Sequence, residues 1–97
     1  MSQQAAILHL VQSPDLSAVH ACLDYCGGAD ILVLLGPAVS CAGTIDISGK
    51  AFSVFVSEMD ASALGYLGAA AKRNLKLVSD EEIIRLTEQH LQCLSWK

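Results

Sequence analysis

The chain of 97 residues is long enough to form one hydrophobic core and too short to form two. Its composition is 53% hydrophobic and 16% charged, with a net charge of −4, which argues against direct nucleic-acid binding through a basic surface. A chain this apolar has more apolar surface than a small interior can cover. We therefore expect a single domain over residues 1–97 with an exposed apolar patch that contacts a partner, and hence an oligomer.

The cellular compartment is predicted from the apolar runs and the cysteines. No apolar run approaches the roughly 20 residues that a membrane helix needs. His9 interrupts the first apolar run, and no basic residue precedes it as in an export signal. We therefore expect a cytoplasmic protein in which the cysteines are reduced thiols. The cysteines are Cys22, Cys26, Cys41 and Cys93.

The first predicted elements are a strand and a helix. Residues 5–11 form a short aliphatic run, which is typical of a strand buried on both faces. Ser13 is expected to cap a helix that begins with Pro14, because proline lacks only a donor that would be unpaired at that position. Gly27 and the glycine after it are expected to end this helix. A second aliphatic run predicts a strand over residues 31–35.

The middle of the chain repeats this alternation. Pro37 is expected to begin a short second helix that stops near Gly43, and residues 51–56 form the third predicted strand. Asp60 is expected to cap a third helix over residues 61–71.

The last predicted elements are a weak strand over residues 75–78 and a helix that extends to Leu91. Ser79 and Glu82 have the spacing of a capping box at the start of this helix. The alternation of strands and helices predicts right-handed crossovers and a parallel sheet covered on both faces. The predicted fold is α/β: one small three-layer, flavodoxin-like domain with a mainly parallel sheet.

Several short motifs, in order along nearly the whole chain, are similar to those of one protein family. They are Ile7-Leu8-His9, Ser13-Pro14, Cys22-Leu23, Val54-Phe55-Val56, Asp60, Ala63, Gly65, Leu77-Val78, Arg85-Leu86-Thr87, His90 and Ser95-Trp96. In their order and spacing they resemble the DsrH/TusB family, whose members are subunits of bacterial sulfur-relay complexes. The chain departs from that family at Gly36-Pro37, where members often have an acidic residue and glycine, and at Glu58-Met59-Asp60, where Glu-Asp-Leu is usual.

The resemblance implies a function and partners. It implies a heterohexamer with DsrE/TusD-like and DsrF/TusC-like subunits, which passes persulfide sulfur toward 2-thiolation of the tRNA wobble uridine. It also implies that the main sulfur-accepting cysteine of this route lies on the D-type subunit, so that this chain is a supporting component first and a carrier second. Two alternatives stay open: a DsrEFH-type carrier subunit in dissimilatory sulfur oxidation, and a purely structural subunit without sulfur transfer. A homo-oligomer is a further possibility for the isolated chain, and tRNA is expected to be only an indirect partner.

Two cysteines are candidates for carrying a persulfide, which requires an exposed thiol with a lowered pKa. Cys22 has the support of the resemblance, although Asp24 nearby would raise its pKa, and the alternative is a structural role. Cys41 follows the carboxyl end of the second strand, close to a helix N-terminus that would lower its pKa. The alternative for Cys41 is that it packs as a small buried hydrophobic residue.

No metal or cofactor site is predicted. Cys22 and Cys26 are one helical turn apart and could share a face, but a zinc ion would need two more ligands, and no further residue has metal-ligand spacing. The turn after the first strand lacks the glycines of a phosphate loop, which argues against an enzyme with a flavin or nucleotide at the edge of the sheet. Whether the chain is itself an enzyme is left open.

Three further side chains are interpreted as structural. His9, in the middle of a strand, is expected to be a hydrogen-bonded core residue. His90 is expected to lie at an interface or to bond the backbone beneath Trp96. Trp96 itself is expected to anchor the end of the chain to the domain or to a neighbouring subunit.

Overall fold

The computed structural model describes residues 6–26, 30–45, 47, 53–73, 75–90 and 92–96. The elements in chain order are β1 (Ile7–Val11), α1 (Leu16–Tyr25), β2 (Ile31–Leu34), a 3-10 helix (Gly36–Gly43), β3 (Ser53–Ser57), α2 (Glu58–Leu64), α3 (Leu67–Lys72), β4 (Lys76–Val78), α4 (Asp80–Gln89) and β5 (Gln92–Trp96). Every helix in these residues is too short or too polar to span a lipid bilayer.

The five strands form one sheet in the order β4-β3-β2-β1-β5, and every pair of neighbours is parallel. The predicted α/β class, with a parallel sheet between helical layers, is confirmed. The order differs from the 2-1-3-4-5 order of flavodoxin itself. Here β1 to β4 follow one another across the sheet, and β5 lies on the opposite side of β1.

The two faces of the sheet are covered unequally. The connections from β1 through β4 all run in one direction, so right-handed crossovers put α1, the 3-10 helix, α2 and α3 on the same face. The main core lies under them, from Val11 and Leu34 of the sheet to Val19 and Leu23 of α1. The connection from β4 to β5 runs back, which puts α4 alone on the second face.

The core on the second face is small. Leu8, Val33 and Val78 are buried there, and Ile83 and Leu86 of α4 pack against them while remaining partly exposed. None of the residues of α4 is fully buried. The layer formed by α4 therefore covers the sheet less completely than the helices on the opposite face.

Capping residues mark the helix ends, and the N-cap of α1 differs from the predicted one. Asp15, not Ser13, is the N-cap of α1, and its carboxylate accepts the N–H of Ser17 at 3.0 Å. The hydroxyl of Ser13 instead accepts the N–H of Asp15. The predicted stop at Gly27 lies outside the described residues, and the C-cap is Cys26. The capping box between Ser79 and Glu82 is confirmed.

The third predicted helix is wrong in two respects. Ser57, rather than Asp60, is its N-cap, so the helix begins three residues earlier, at Glu58. The helix is also interrupted at Gly65, whose φ of 83° is in the left-handed region, and it continues as α3. A glycine adopts this conformation without the steric strain of a Cβ atom, which is why the break falls there.

Asp60 has a different role from the predicted one. Its carboxylate accepts the backbone N–H of Gly36 at 2.7 Å, which joins α2 to the turn after β2. Gly36 also has a positive φ, of 51°. This bond lies in the turn where the chain departs from the DsrH/TusB motif.

The fifth strand is missing from the sequence prediction. α4 ends at Gln89, and β5 then pairs with β1 along its whole length, from Ile7 with Gln92 to Val11 with Trp96. The strand lies at the sheet edge, and only Leu94 and Trp96 are partly buried. Because its other positions are exposed, they do not need apolar residues, and the strand lacks the continuous apolar run by which the other strands were predicted.

Candidate functional site

The main polar cluster of the interior surrounds His9, the central residue of β1. Its side chain is fully buried and lies on the face of the sheet that is covered by α1. Around it the fold brings together the end of α1, the residue before β2 and the end of β5, which are remote from one another in the sequence. We define the His9 cluster as His9, Cys22, Tyr25, Cys26, Asp30 and Trp96.

Two hydrogen bonds fix the imidazole of His9. The indole N–H of Trp96 donates to Nδ1 at 3.1 Å, and Nε2 lies 2.9 Å from Oδ2 of Asp30. Because Nδ1 accepts a hydrogen bond, the neutral ring has its proton on Nε2 and donates it to Asp30. The expectation of a hydrogen-bonded core histidine is confirmed.

Asp30 is the functional-site residue that the sequence reasoning missed. Its Oδ1 accepts the N–H of Ile7 at 3.0 Å while Oδ2 faces His9, so one carboxylate connects the start of β1 with its centre. The only signal in the sequence is an acidic residue directly before a buried strand. A buried carboxylate needs such partners to offset its desolvation.

Aromatic rings close the cluster. The ring of Tyr25 lies 5.8 Å from the rings of both His9 and Trp96, in edge-to-face contacts. Tyr25 is 60% exposed, so it forms the outer wall. Trp96 is partly buried and packs against the main core, so it anchors β5 to the domain itself.

Cys22 lies inside the His9 cluster with none of its surface exposed. Burial raises the pKa of this thiol far above its ordinary value of 9.0, and the neighbouring Cys26 and Asp30 raise it further. The sequence predicts this effect for Asp24, whereas the neighbours that raise the pKa of Cys22 in the structure are Cys26, in part through a hydrogen bond, and Asp30. At neutral pH Cys22 is therefore a protonated, enclosed thiol, whereas attack on another protein's persulfide requires an accessible thiolate.

Cys41 is also buried, on the 3-10 helix. Its Sγ donates to the carbonyl of Pro14 at 3.5 Å. Burial raises the pKa of the thiol and the charge of Asp15 adds to this, while a hydrogen bond with Ser40 lowers it. This environment is that of the packing role, the alternative considered for Cys41. Cys93 is exposed on β5, and no disulfide joins the four cysteines, all of which belong to the described residues.

The fold adds a third potential ligand, a histidine, to the two cysteines at the end of α1. One donor atom each of His9, Cys22 and Cys26 lies within 4.8 Å of the other two. The sequence prediction of no metal site rested on the lack of further ligands at a suitable spacing. His9 has no such spacing, because it lies on β1 and approaches the cysteines only where α1 packs on the sheet.

The carboxyl edge of the sheet contains a shallow depression where β3 and β4 lead to helices on opposite faces. Such a switch point is the usual ligand site of an open α/β sheet. Here Glu58, Met59, Ser79 and Asp80 line it. The first turns of both helices are capped by serines and contain acidic side chains, which disfavour a phosphate group. The depression therefore gives no support to a flavin or nucleotide enzyme.

His90 does not belong to the His9 cluster. Its Nδ1 lies 2.7 Å from the carbonyl of Leu86, one turn earlier in the chain. The ring thus bonds the end of its own helix, and the expected bond beneath Trp96 is not formed.

A scan of the sequence against models of known protein families and a search of curated proteins both gave no match.

Proposed function

We propose that this chain is a supporting subunit of a bacterial sulfur-relay complex of the DsrH/TusB kind, which acts in the cytoplasm toward 2-thiolation of the tRNA wobble uridine. Its proposed partners are a DsrE/TusD-like and a DsrF/TusC-like subunit. The chain would stabilise the assembly, and the reactive persulfide would form on a sister subunit.

The observation that carries this proposal is the meeting of three residues on which the resemblance rests. His9, Cys22 and Trp96 come from the first strand, the first helix and the closing motif, and in the fold they belong to one cluster. A chance similarity of scattered short motifs gives no reason for these residues to be in contact. A shared structural core does give such a reason.

The surroundings of the cysteines favour a supporting role over a carrier role. Cys22 and Cys41 are both buried, and burial raises the pKa of each thiol. A carrier thiol needs the opposite environment, with access for a partner and stabilisation of the thiolate. Transfer through Cys22 would require the wall formed by Tyr25 to open.

Exposed apolar side chains on α2 and at the start of α3 are suited to a subunit interface. Met59 is 62% exposed and Leu64 is 53% exposed on α2, and Leu67 follows at the start of α3. A small domain gains nothing in stability from leaving such side chains in water, whereas partner binding would bury them. We propose that α2 and the start of α3 contact a sister subunit.

Co-expression with the two sister subunits tests the assembly. The expected result is a stable complex that contains all three chains after affinity purification and size-exclusion chromatography. Met59→Asp should weaken the complex, whereas Ile84→Asp, at an equally exposed position of α4, should leave it intact. A chain that stays monomeric beside both sisters would contradict the proposal.

Thiolation measured in cells separates the supporting role from the carrier role. A strain that lacks this chain is complemented with the wild-type, Cys22→Ala, Cys41→Ala or Cys93→Ala gene, and 2-thiouridine at the wobble position is quantified by mass spectrometry. The supporting role predicts wild-type thiolation by every variant that assembles. If Cys22→Ala assembles normally but abolishes thiolation, Cys22 carries sulfur; if the strain without the chain thiolates normally, the tRNA route is wrong.

A further inference from the structure

We propose that His9, Cys22 and Cys26 form a binding site for one zinc ion. This inference is independent of the sulfur-relay proposal, since it concerns the isolated chain and the side chains of its own interior. Two thiolates and an imidazole are the ligand types that zinc prefers in proteins.

The distances among the donor atoms suit a metal ion. When three atoms lie no more than 4.8 Å apart, some point lies within about 2.8 Å of all of them. Zinc–ligand bonds are about 2.0–2.1 Å for nitrogen and about 2.3 Å for sulfur, so side-chain movements of less than an ångström would complete the bonds. Cys26, the C-cap of α1, is only half-buried, which gives the ion a route of entry beside the exposed Tyr25.

The charges also balance at this site. The zinc ion displaces the protons of Cys22 and Cys26, so that two thiols become two thiolates and two protons are released to the solvent. The resulting Zn²⁺, two thiolates and neutral His9 have no net charge, so the ion adds no charge to the buried carboxylate of Asp30 beside them.

Asp30 supplies the partner that ligating histidines usually have. If zinc binds Nδ1 of His9, the Nε2–H continues to donate to Asp30, in the carboxylate–histidine–zinc arrangement. If zinc binds Nε2, Oδ2 of Asp30 loses the N–H of His9 and lies beside the ion as a candidate fourth ligand, while Oδ1 keeps its bond to the N–H of Ile7. A tetrahedral site is thus completed by Asp30 or by a water molecule.

The hydrogen bond of Trp96 is lost whether zinc binds Nδ1 or Nε2 of His9. Its N–H now donates to Nδ1 of His9. Zinc at Nδ1 replaces that N–H directly, whereas zinc at Nε2 moves the ring proton to Nδ1, which then no longer accepts. The indole loses its acceptor in both cases. Because Trp96 is the single tryptophan of the chain, its fluorescence follows zinc binding without interference from a second indole.

The test is a zinc titration of the full chain, prepared free of metal with a chelator and a non-thiol reductant. The expected result is one zinc ion per chain in competition with a chromophoric chelator, a saturating change in Trp96 emission at the same stoichiometry, and release of close to two protons. Cobalt in place of zinc should give a thiolate-to-cobalt charge-transfer band and the intense visible bands of a tetrahedral site.

Matched variants show which thiols bind the ion. Cys26→Ala should weaken binding by at least about 100-fold, and Asp30→Asn by about 10- to 100-fold. Cys41→Ala removes a buried thiol outside the cluster and Cys93→Ala an exposed one, so both should bind like the wild type. If circular dichroism shows that Cys26→Ala is unfolded, the test uses Cys26→Ser instead, because serine is close to cysteine in shape but lacks the thiol.

Three results would overturn the proposal: no zinc binding by the wild-type chain, wild-type affinity in the folded Cys26 variant, or a cobalt complex without the thiolate band. The second would show that Cys26 is not a ligand, and the third that neither thiolate binds the ion. None of these outcomes depends on assembly with sister subunits or on tRNA thiolation.

Discussion

The indole N–H of Trp96 donates to Nδ1 of His9 at 3.1 Å, across 87 positions of the chain. The bond joins the last residue of β5 to the central residue of β1. It also satisfies a ring nitrogen that has no access to water, and throughout the described residues every buried polar side-chain atom has a hydrogen-bond partner.

Trp96→Phe is expected to destabilise the metal-free chain by about 1–3 kcal/mol, because an aromatic ring remains but Nδ1 of His9 is left buried without a donor. Urea unfolding in the presence of a chelator, followed by far-ultraviolet circular dichroism, measures this change. Tyr25→Phe is the control, since it keeps the ring and alters an exposed residue, and it should shift stability by less than about 0.5 kcal/mol. Equal stability of Trp96→Phe and the wild type would contradict the role of the hydrogen bond.

Gly65→Ala and Gly68→Ala are expected to change stability in opposite directions. A Cβ atom meets no other atom within 4 Å at either position, so packing does not distinguish them. Gly65 has a φ of 83°, which costs about 1–2 kcal/mol for alanine, whereas Gly68 lies inside α3, where alanine stabilises by about 0.5–1 kcal/mol. Thermal and urea unfolding of the two variants provide the measurement, and changes of the same sign would contradict this account of the α2–α3 break.

Asp60→Ala is expected to destabilise the chain by about 1–3 kcal/mol, because it removes the charged acceptor from the backbone N–H of Gly36. The same unfolding measurement applies. Glu88→Ala removes an exposed carboxylate from α4 and should stay within about 0.5 kcal/mol of the wild type. A loss no larger than that of the control would show that the bond between α2 and the turn contributes nothing.

Stability is expected to fall as the pH rises above 9.0, and Cys41 is expected to contribute to the slope. The unfolded thiol ionises near pH 9.0, while burial raises the pKa in the folded chain, so above that pH the unfolded state binds fewer protons than the folded state. The contribution is complete below pH 9.0 and declines by up to about 1.4 kcal/mol per pH unit above it.

Urea unfolding from pH 7 to 10.5 with a reductant tests this linkage. Cys41→Ala is less stable than the wild type at neutral pH because it leaves a cavity, and the difference should narrow at alkaline pH. Cys93→Ala should keep the wild-type slope, because its side chain is exposed in both states. A constant difference between Cys41→Ala and the wild type would show that the buried thiol is not linked to pH.

Local signals predicted most of the fold. Continuous aliphatic runs gave β1 and β2, Pro37 marked the start of the 3-10 helix, and the pair Ser79 and Glu82 marked the start of α4. Errors arose where two local signals compete. Asp60 is a good capping residue, but Ser57 stands where the strand ends and caps first. Gly65 permits a left-handed turn that divides a helix that is otherwise continuous in pattern.

The site was less predictable than the fold, because its contacts are not local. His9 and Trp96 were each singled out, but their hydrogen bond depends on β5 pairing with β1, and β5 is too polar on its exposed positions to be predicted as a strand. The pairing of Cys22 with Cys26 follows from helical periodicity. Their proximity to His9 follows only from the way α1 lies on the sheet.

The strand order has a consequence for synthesis on the ribosome. β1 is translated before the other strands and can pair with β2 early. Its other edge stays unpaired until β5 is translated, more than 80 residues later. At roughly 5–20 residues per second, this edge of the nascent chain is open for several seconds. An open aliphatic strand is a preferred target for chaperones and for wrong pairing between neighbouring nascent chains. The docking of Trp96 on His9 is therefore a late step of folding, and the pairing of β5 covers the aliphatic edge of β1 and leaves the more polar β5 at the edge of the sheet.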